Sequence, residues 1–225
     1  MPELLANLQI ALRVQCRYDG PVPSEGVAAI ILAAGASTRM GRTKALLPDP
    51  DGCPFVARLV RTFADAGIRH IVVVTGAESS SIAGALAADR AVVDPMVVVN
   101  PDPARGQLSS LWAGLDAVRP LDPAAVLVIP VDMPLVRAAT IRQLLESWRR
   151  SRGTIVRPAI GERHGHPVLF DRALFDELRR APLDEGARAV VHAHAADIVD
   201  VLVDDEGCIA DIDTPEDYET LIRKG

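Results

Sequence analysis

The sequence predicts an α/β protein built on an open, mostly parallel β-sheet with helices on both faces, a Rossmann-like arrangement. Three observations predict it. Residues 28–33 are an unbroken apolar run followed at once by small residues and a glycine, the pattern of a central strand buried on both sides. Short β-branched runs then alternate with segments of helical periodicity along the rest of the chain. With 225 residues, 49 % hydrophobic and 24 % charged, the chain is long enough to bury both faces of such a sheet.

The elements follow in order. Residues 1–26 read as an appendage: Leu4, Leu5, Leu8, Ala11 and Leu12 have helical spacing, and Asp19, Gly20, Pro21 and Pro23 break the chain after them. A single domain, residues 27–225, opens with the strand at 28–33. Residues 55–66 have a helical period and stop at Gly67, a good C-terminal cap. Residues 71–75 are a β-branched strand ended by Gly76, and 81–88 a helix. A third strand at 97–100 precedes a helix at 109–118, closed by Pro120. A fourth strand at 125–130 leads to a helix at 138–150. Residues 155–156 and 168–170 are short strands, 171–180 and 186–194 are helical, and 199–203 is a late strand. The last helix, 215–223, has Thr214 as N-cap and Pro215 in its first turn.

Composition narrows the function. A net charge of −6 argues against a nucleic-acid partner. Cys16, Cys53 and Cys208 are far apart and form neither a metal spacing nor a disulfide framework. The N-terminus lacks a basic n-region, and the longest apolar stretch, near 27–35, falls short of the ~18 residues of a membrane span. A cytoplasmic protein with no membrane partner is expected. Of 24 basic residues only Lys44 and Lys224 are lysines.

In open α/β sheets ligands bind beyond the carboxyl ends of the strands, so the residues just after each strand carry the chemistry. Leu32, Ala33, Ala34 and Gly35 open a loop that runs on through Arg39, Arg42 and Lys44 with no acid before Asp49. Small residues let backbone N–H groups approach a phosphate, and the three cations form a funnel for polyphosphate. The loop is neither Gly-x-Gly-x-x-Gly nor a Walker A sequence, which argues against an NAD-binding dehydrogenase. Asp132, after the strand at 125–130, can hold a hard cation beside phosphate or cap the next turn. Asp211 and Asp213 share a face if extended, and Thr214 with Asp217 makes a capping-box start. Gly106, Ser109 and Ser110 open a helix after the third strand, where hydroxyls can read a base edge or serve as an N-cap. His164 and His166 precede Pro167 in a loop suited to a substrate cleft rather than a metal site. His192 and His194 are expected at the surface.

Together these segments, from about Val27 to Tyr218, resemble the MobA-like nucleotidyltransferases, with the nearer likeness to the molybdenum cofactor cytidylyltransferase branch. Residues 32–44 match Leu-Ala-Ala-Gly-x-Ser-x-Arg-Met-Gly-x-x-Lys at every fixed position. The Ser-Ser-Leu…Gly-Leu, Asp-Met-Pro, Gly-His-Pro-Val-Leu-Phe and Asp-Ile-Asp-Thr-Pro-Glu-Asp elements follow in the family order. The resemblance implies transfer of a nucleoside monophosphate from an NTP, CTP favoured, to a phosphorylated acceptor such as molybdopterin, with pyrophosphate released. It implies that the opening loop wraps the triphosphate, with Arg39 and Lys44 neutralising its charge. Asp132 and Asp213 would hold Mg²⁺, Gly106, Ser109 and Ser110 would meet the base, and His166 would lie on the acceptor side. A molybdoenzyme or maturation factor is the implied protein partner. Two other readings are a transferase for a sugar phosphate or other small phosphate, and a non-catalytic nucleotide sensor; intact Lys44, Asp132 and Asp213 argue against the sensor.

Overall fold

The computed structural model describes residues 26–35, 40–89, 93–151 and 153–224. Residues 1–25, nearly all of the expected appendage, and residues 36–39, which include Arg39, lie outside them.

Strand β1 (Val27–Ala33) is buried along its whole length and lies at the centre of the sheet. Helix α1 (Phe55–Asp65) returns the chain to β2 (His70–Thr75), and α2 (Ser79–Ala88) to the edge strand β3 (Met96–Val99). Helix α3 (Gln107–Val118) then carries it back across the sheet to β4 (Ala125–Pro130), on the other side of β1. The four strands are parallel, in the order β3-β2-β1-β4. Helix α4 (Ala138–Ser151) follows, then β5 (Ile155–Ile160), the two-residue β6 (Arg163–His164) and β7 (Val168–Asp171). Strand β7 inserts antiparallel between β4 and β5. Short helices α5 (Phe175–Arg180) and α6 (Arg188–Ala193) lead to β8 (Ile198–Leu202), parallel to β5, and α7 (Pro215–Lys224) ends the chain.

Alternation along β1 divides the core. Val27, Ala29, Ile31 and Ala33 pack with Phe55, Leu59 and Phe63 of α1 and Ile141 and Leu144 of α4. Ala28, Ile30 and Leu32 pack on the opposite face with Leu108, Leu111 and Leu115 of α3 and Leu178 of α5. A period of two with both faces apolar is what an interior parallel strand needs, and each large side chain so buried contributes about 1.5–3 kcal/mol. Helix α3 approaches β1 closely because Gly114 has no side chain; a Cβ there would stand 2.5 Å from Ile30 Cγ2.

The second half of the chain departs from the sequence expectations. Strand β5 runs through Pro158, whose carbonyl accepts from Gly165 N–H at 3.0 Å. Arg157 and Pro158 hide this strand from a pattern search because a proline lowers the expectation of a strand. The helix expected over 171–180 divides into a 3₁₀ turn, Arg172–Leu174, and α5.

Candidate active site

The chain order reverses at β1. Connections from β1 lead outward to β2 and β3, and the next strand, β4, lies on β1's other side. The carboxyl ends of β1 and β4 therefore flank a topological switch point. Leu32 pairs with Pro130 there, and Val131 N–H donates to Leu32 O at 3.0 Å. A cavity of about 340 Å³ opens at this point. Its floor is Leu32, Ala33, Ala34 and Gly35, and Lys44, Asp132, Asp213, Gly106 and Ser110 stand around it.

Three segments far apart in the chain converge on this cavity. Lys44 begins a 3₁₀ turn whose neighbours Ala45 and Leu47 are fully buried, so the hydrophobic core anchors the turn. Phe55 N–H donates to Leu47 O at 2.9 Å, and the Tyr218 hydroxyl on α7 donates to Pro48 O at 2.8 Å. Asp49, nearly fully buried, accepts from Arg58 Nη1 at 2.7 Å, and Arg58 Nε donates to Pro134 O at 2.9 Å. That bridge fixes the lysine turn against the Asp132 loop. Asp132 O in turn accepts from Ile212 N–H at 2.8 Å, which sets Asp213 beside Asp132. Thr214 and Asp217 form the expected reciprocal cap: Asp217 Oδ2 accepts from Thr214 N–H at 2.8 Å, and Asp217 N–H donates to Thr214 Oγ1 at 3.2 Å.

The result is a compact charge cluster. Lys44 Nζ donates to Asp132 Oδ2 at 3.0 Å and to Asp213 Oδ1. The lysine is only 9 % exposed. Burial works against its charge, but hydrogen bonds and attraction from Asp213 and Asp132 outweigh it and hold the Lys44 pKa above its ordinary value. Two carboxylates gathered on one cation suit a divalent ion. Among the described residues no group of three or more His, Cys, Asp or Glu could hold a metal. A pair of carboxylates fits a hard cation whose remaining ligands are water and substrate phosphates, as with Mg²⁺.

The family model for the MobA-like NTP transferase domain matches residues 29–198. The chain belongs to this family. Among relatives of this MobA-like protein, the nicotine blue oxidoreductase of Paenarthrobacter nicotinovorans is 32 % identical, over 87 % of this chain and 96 % of its own. The molybdenum cofactor cytidylyltransferase of Escherichia coli is 27 % identical, over 85 % of this chain and 93 % of its own. The crystal structure of Rv0371c from Mycobacterium tuberculosis superposes with a TM-score of 0.73 at 28 % identity, covering 88 % of this chain and 98 % of that one. The same mycobacterial protein, solved in complex with manganese, superposes at 0.69 with 25 % identity, covering 88 % and 98 %.

The structure of this MobA-like chain sorts the other candidates. Gly106 precedes α3 with φ 91°, a conformation that disfavours any residue with a Cβ. Ser110 lines the cavity. Ser109 does not line it: its hydroxyl donates to Gly106 O at 2.7 Å, within reach of Asp102 O at 3.2 Å. This bond braces the start of the helix. His166 stands in a second cavity of about 470 Å³ that shares Leu32, Gln107 and Pro130 with the first. Its backbone N–H donates to Cys208 O at 2.7 Å, and burial holds its pKa below the ordinary value against the opposing Val128 carbonyl. The second cavity combines an apolar wall, including Leu111, Val168 and Phe170, with Arg157, His164 and Arg188. Asp200 braces two of these, accepting from Arg157 Nε at 2.6 Å and lying 3.3 Å from His164 Nε2. His192 is exposed, and His194 pairs with Glu177 at 2.8 Å, away from both cavities.

Arg157, Arg188, Gln107 and Asn100 are not among the site residues expected from the motifs. Asn100 carried a usable signal: like Asp132, it is a polar residue placed directly after a strand at the ligand-binding edge.

Proposed function

We propose that this protein transfers a nucleoside monophosphate, CMP from CTP favoured, to a phosphorylated acceptor and releases pyrophosphate. What supports the reading is the convergence of Lys44, Asp132 and Asp213 at the β1/β4 switch point, beside a small-residue floor and a second cavity that shares Leu32, Gln107 and Pro130 with the first. An acceptor phosphate oxygen attacks the α-phosphorus, a new P–O bond forms, the α–β bond breaks, and pyrophosphate leaves with the electron pair. The attacking oxygen is already an anion, so no protein nucleophile is needed. Repulsion between anions is the obstacle, and the chain's own groups address it. Leu32–Gly35 lets the triphosphate lie against the backbone, and Lys44 offers it a buried, fixed positive charge. Asp132 and Asp213 would hold Mg²⁺, which supplies charge neutralisation on the phosphates. Arg39 would add a second cation from the opening loop.

The acceptor occupies the second cavity, with His166 and Arg188 toward its phosphate. The apolar wall of Leu111, Val168 and Phe170 suits a ring system such as a pterin better than a sugar, which supports molybdopterin over a sugar phosphate. A molybdoenzyme or its maturation factor would then receive the product, in the cytoplasm; among the described residues no helix is long and apolar enough to cross a membrane. Residues 1–26 would be an appendage to a catalytic domain spanning 27–225. The test is a thermal-shift series with CTP, GTP, ATP and UTP in Mg²⁺, followed by pyrophosphate release with candidate acceptors. A ligand that binds only the native state raises its stability; no shift with any NTP refutes the proposal.

A second reading is favoured by the oxidoreductase relative, since one fold hosts many chemistries. The missing dinucleotide fingerprint argues against it. Oxidation of a reduced nicotinamide by a coloured aromatic acceptor, with no pyrophosphate from any NTP, would select it.

A further inference from the structure

Asn100 directly follows β3 and is 4 % exposed. Its backbone N–H and both ends of its side-chain amide are in use. Its backbone N–H donates to Thr75 O at 2.8 Å. Its side-chain carbonyl accepts from Asp102 N–H at 3.0 Å. A backbone N–H can only donate, so that contact fixes which end of the amide is oxygen. The NH₂ end therefore faces α3, donating to Ser109 Oγ at 2.8 Å and Ser110 Oγ at 3.0 Å.

The two serines respond differently. Each oxygen receives a hydrogen from Asn100, so each hydroxyl hydrogen must point elsewhere. Ser109 directs its hydrogen to Gly106 O. Ser110 lines the first cavity together with Gly106 and Gln107, and among the described residues no protein acceptor takes its hydroxyl hydrogen. In an occupied site an acceptor atom on a ligand can complete it.

We propose that Asn100 is a positioning residue for nucleobase selection: by donating to Ser110 Oγ, it turns the Ser110 hydroxyl into a hydrogen-bond donor aimed at an acceptor atom on the edge of the base. The inference rests on the nucleotide reading of this cavity. It assigns the choice between NTPs to the polarity of one hydroxyl, set by a buried amide that does not itself line the cavity. A base that presents N–H at that point meets donor against donor and binds worse than one presenting a ring nitrogen or carbonyl.

The experiment measures the dissociation constants of CTP, UTP, ATP and GTP, with Mg²⁺, by calorimetry on the full chain, on Ser110→Ala, on Asn100→Asp and on the double variant. A carboxylate at position 100 accepts where the amide donated, so it pulls the Ser110 hydrogen away from the cavity. Loss of one such hydrogen bond corresponds to about 5–10-fold in affinity. Each single variant should weaken the preferred NTP by about that factor and leave the least preferred within about twofold. The double variant should be no worse than Ser110→Ala, because Asn100 acts through Ser110. A purely structural asparagine would instead weaken all four nucleotides alike and leave their ratio unchanged, and that result overturns the proposal. So does a wild type that binds the four equally. Should Asn100→Asp fail to fold, Ser110→Ala, which deletes one hydroxyl, decides: an unchanged preference overturns the proposal. A wild type that binds no NTP at all refutes the nucleotide reading itself, a distinguishable failure.

Discussion

Replacing Lys44 with methionine keeps an unbranched side chain, one atom shorter, and removes its charge, leaving Asp132 and Asp213 facing each other with that cation gone. The Lys44–Asp132 contact of 3.0 Å corresponds to a gross attraction of about 5–6 kcal/mol at an effective dielectric constant of ~20. Desolvation of the ammonium offsets much of it. Removing one partner of a buried pair nonetheless costs about 3–5 kcal/mol, because the remaining charge keeps its own desolvation penalty. The Asp132 and Asp213 side chains retain 24 % and 29 % exposure, so water relieves part of this, and a net loss of about 2–3 kcal/mol is expected. For a chain of this size that lowers Tm by roughly 5–10 °C. Millimolar Mg²⁺ should raise the Tm of the variant more than that of the wild type, because a divalent cation meets the same two carboxylates. Pyrophosphate release should fall about 10²–10³-fold, the usual effect of deleting one preorganised charge. Lys44→Arg should also impair turnover, since the bulkier guanidinium replaces a compact ammonium at a position only 9 % exposed. A Lys44→Met protein with wild-type Tm and a rate within threefold of wild type would refute both the electrostatic account and the catalytic role.

Three further expectations can be checked separately. Asp132→Asn should lower pyrophosphate release by at least about 10²-fold with far-UV circular dichroism unchanged; activity near wild type removes Asp132 from the site. Burial holds His166 below its ordinary pKa, so the unfolded chain, titrating near about 6.5, takes up this proton more readily than the folded one. Stability from this group is present above that pH and declines as pH falls through it; urea midpoints from pH 8 to 5.5 should show a steeper acid decline in wild type than in His166→Gln, and parallel curves refute the assignment. Asp205, buried, accepts from Thr140 Oγ1 at 2.6 Å and from the N–H groups of Arg137 at 2.8 Å and Gly207 at 3.1 Å. Asp205→Ala leaves these donors without their acceptor and should cost about 3 kcal/mol, read as a lower urea midpoint; a loss under about 1 kcal/mol contradicts that account.

The central half of the fold was legible because its signals are local. The run from Val27 to Ala33 is apolar at every position and short enough to read as an interior strand, Gly67 marks a helix end through its backbone freedom, and Thr214 marks a helix start through its hydroxyl. Strand β5 was legible only in part: its first two residues are apolar, but Arg157 and Pro158 break the pattern after them. It forms because β7 and β8 supply hydrogen-bond partners on its two sides, and a pairing between distant segments leaves no mark in the strand itself.

The same division holds at the site. The sequence by itself determined which residue types stand after each strand: small residues and glycine after β1, an acid after β4, an Asp before the last helix, one lysine in the body of the chain. Those positions follow from where strands stop, and strands stop where the apolar pattern does. Only the tertiary structure decided that Lys44, Asp132 and Asp213 meet, because their contact depends on the reversal of strand order at β1 and on the Asp132–Ile212 backbone bond. It alone separated Ser109 from Ser110, neighbours that look equivalent in sequence. Their hydroxyls differ in what lies opposite them, and what lies opposite a side chain is a property of the packed fold.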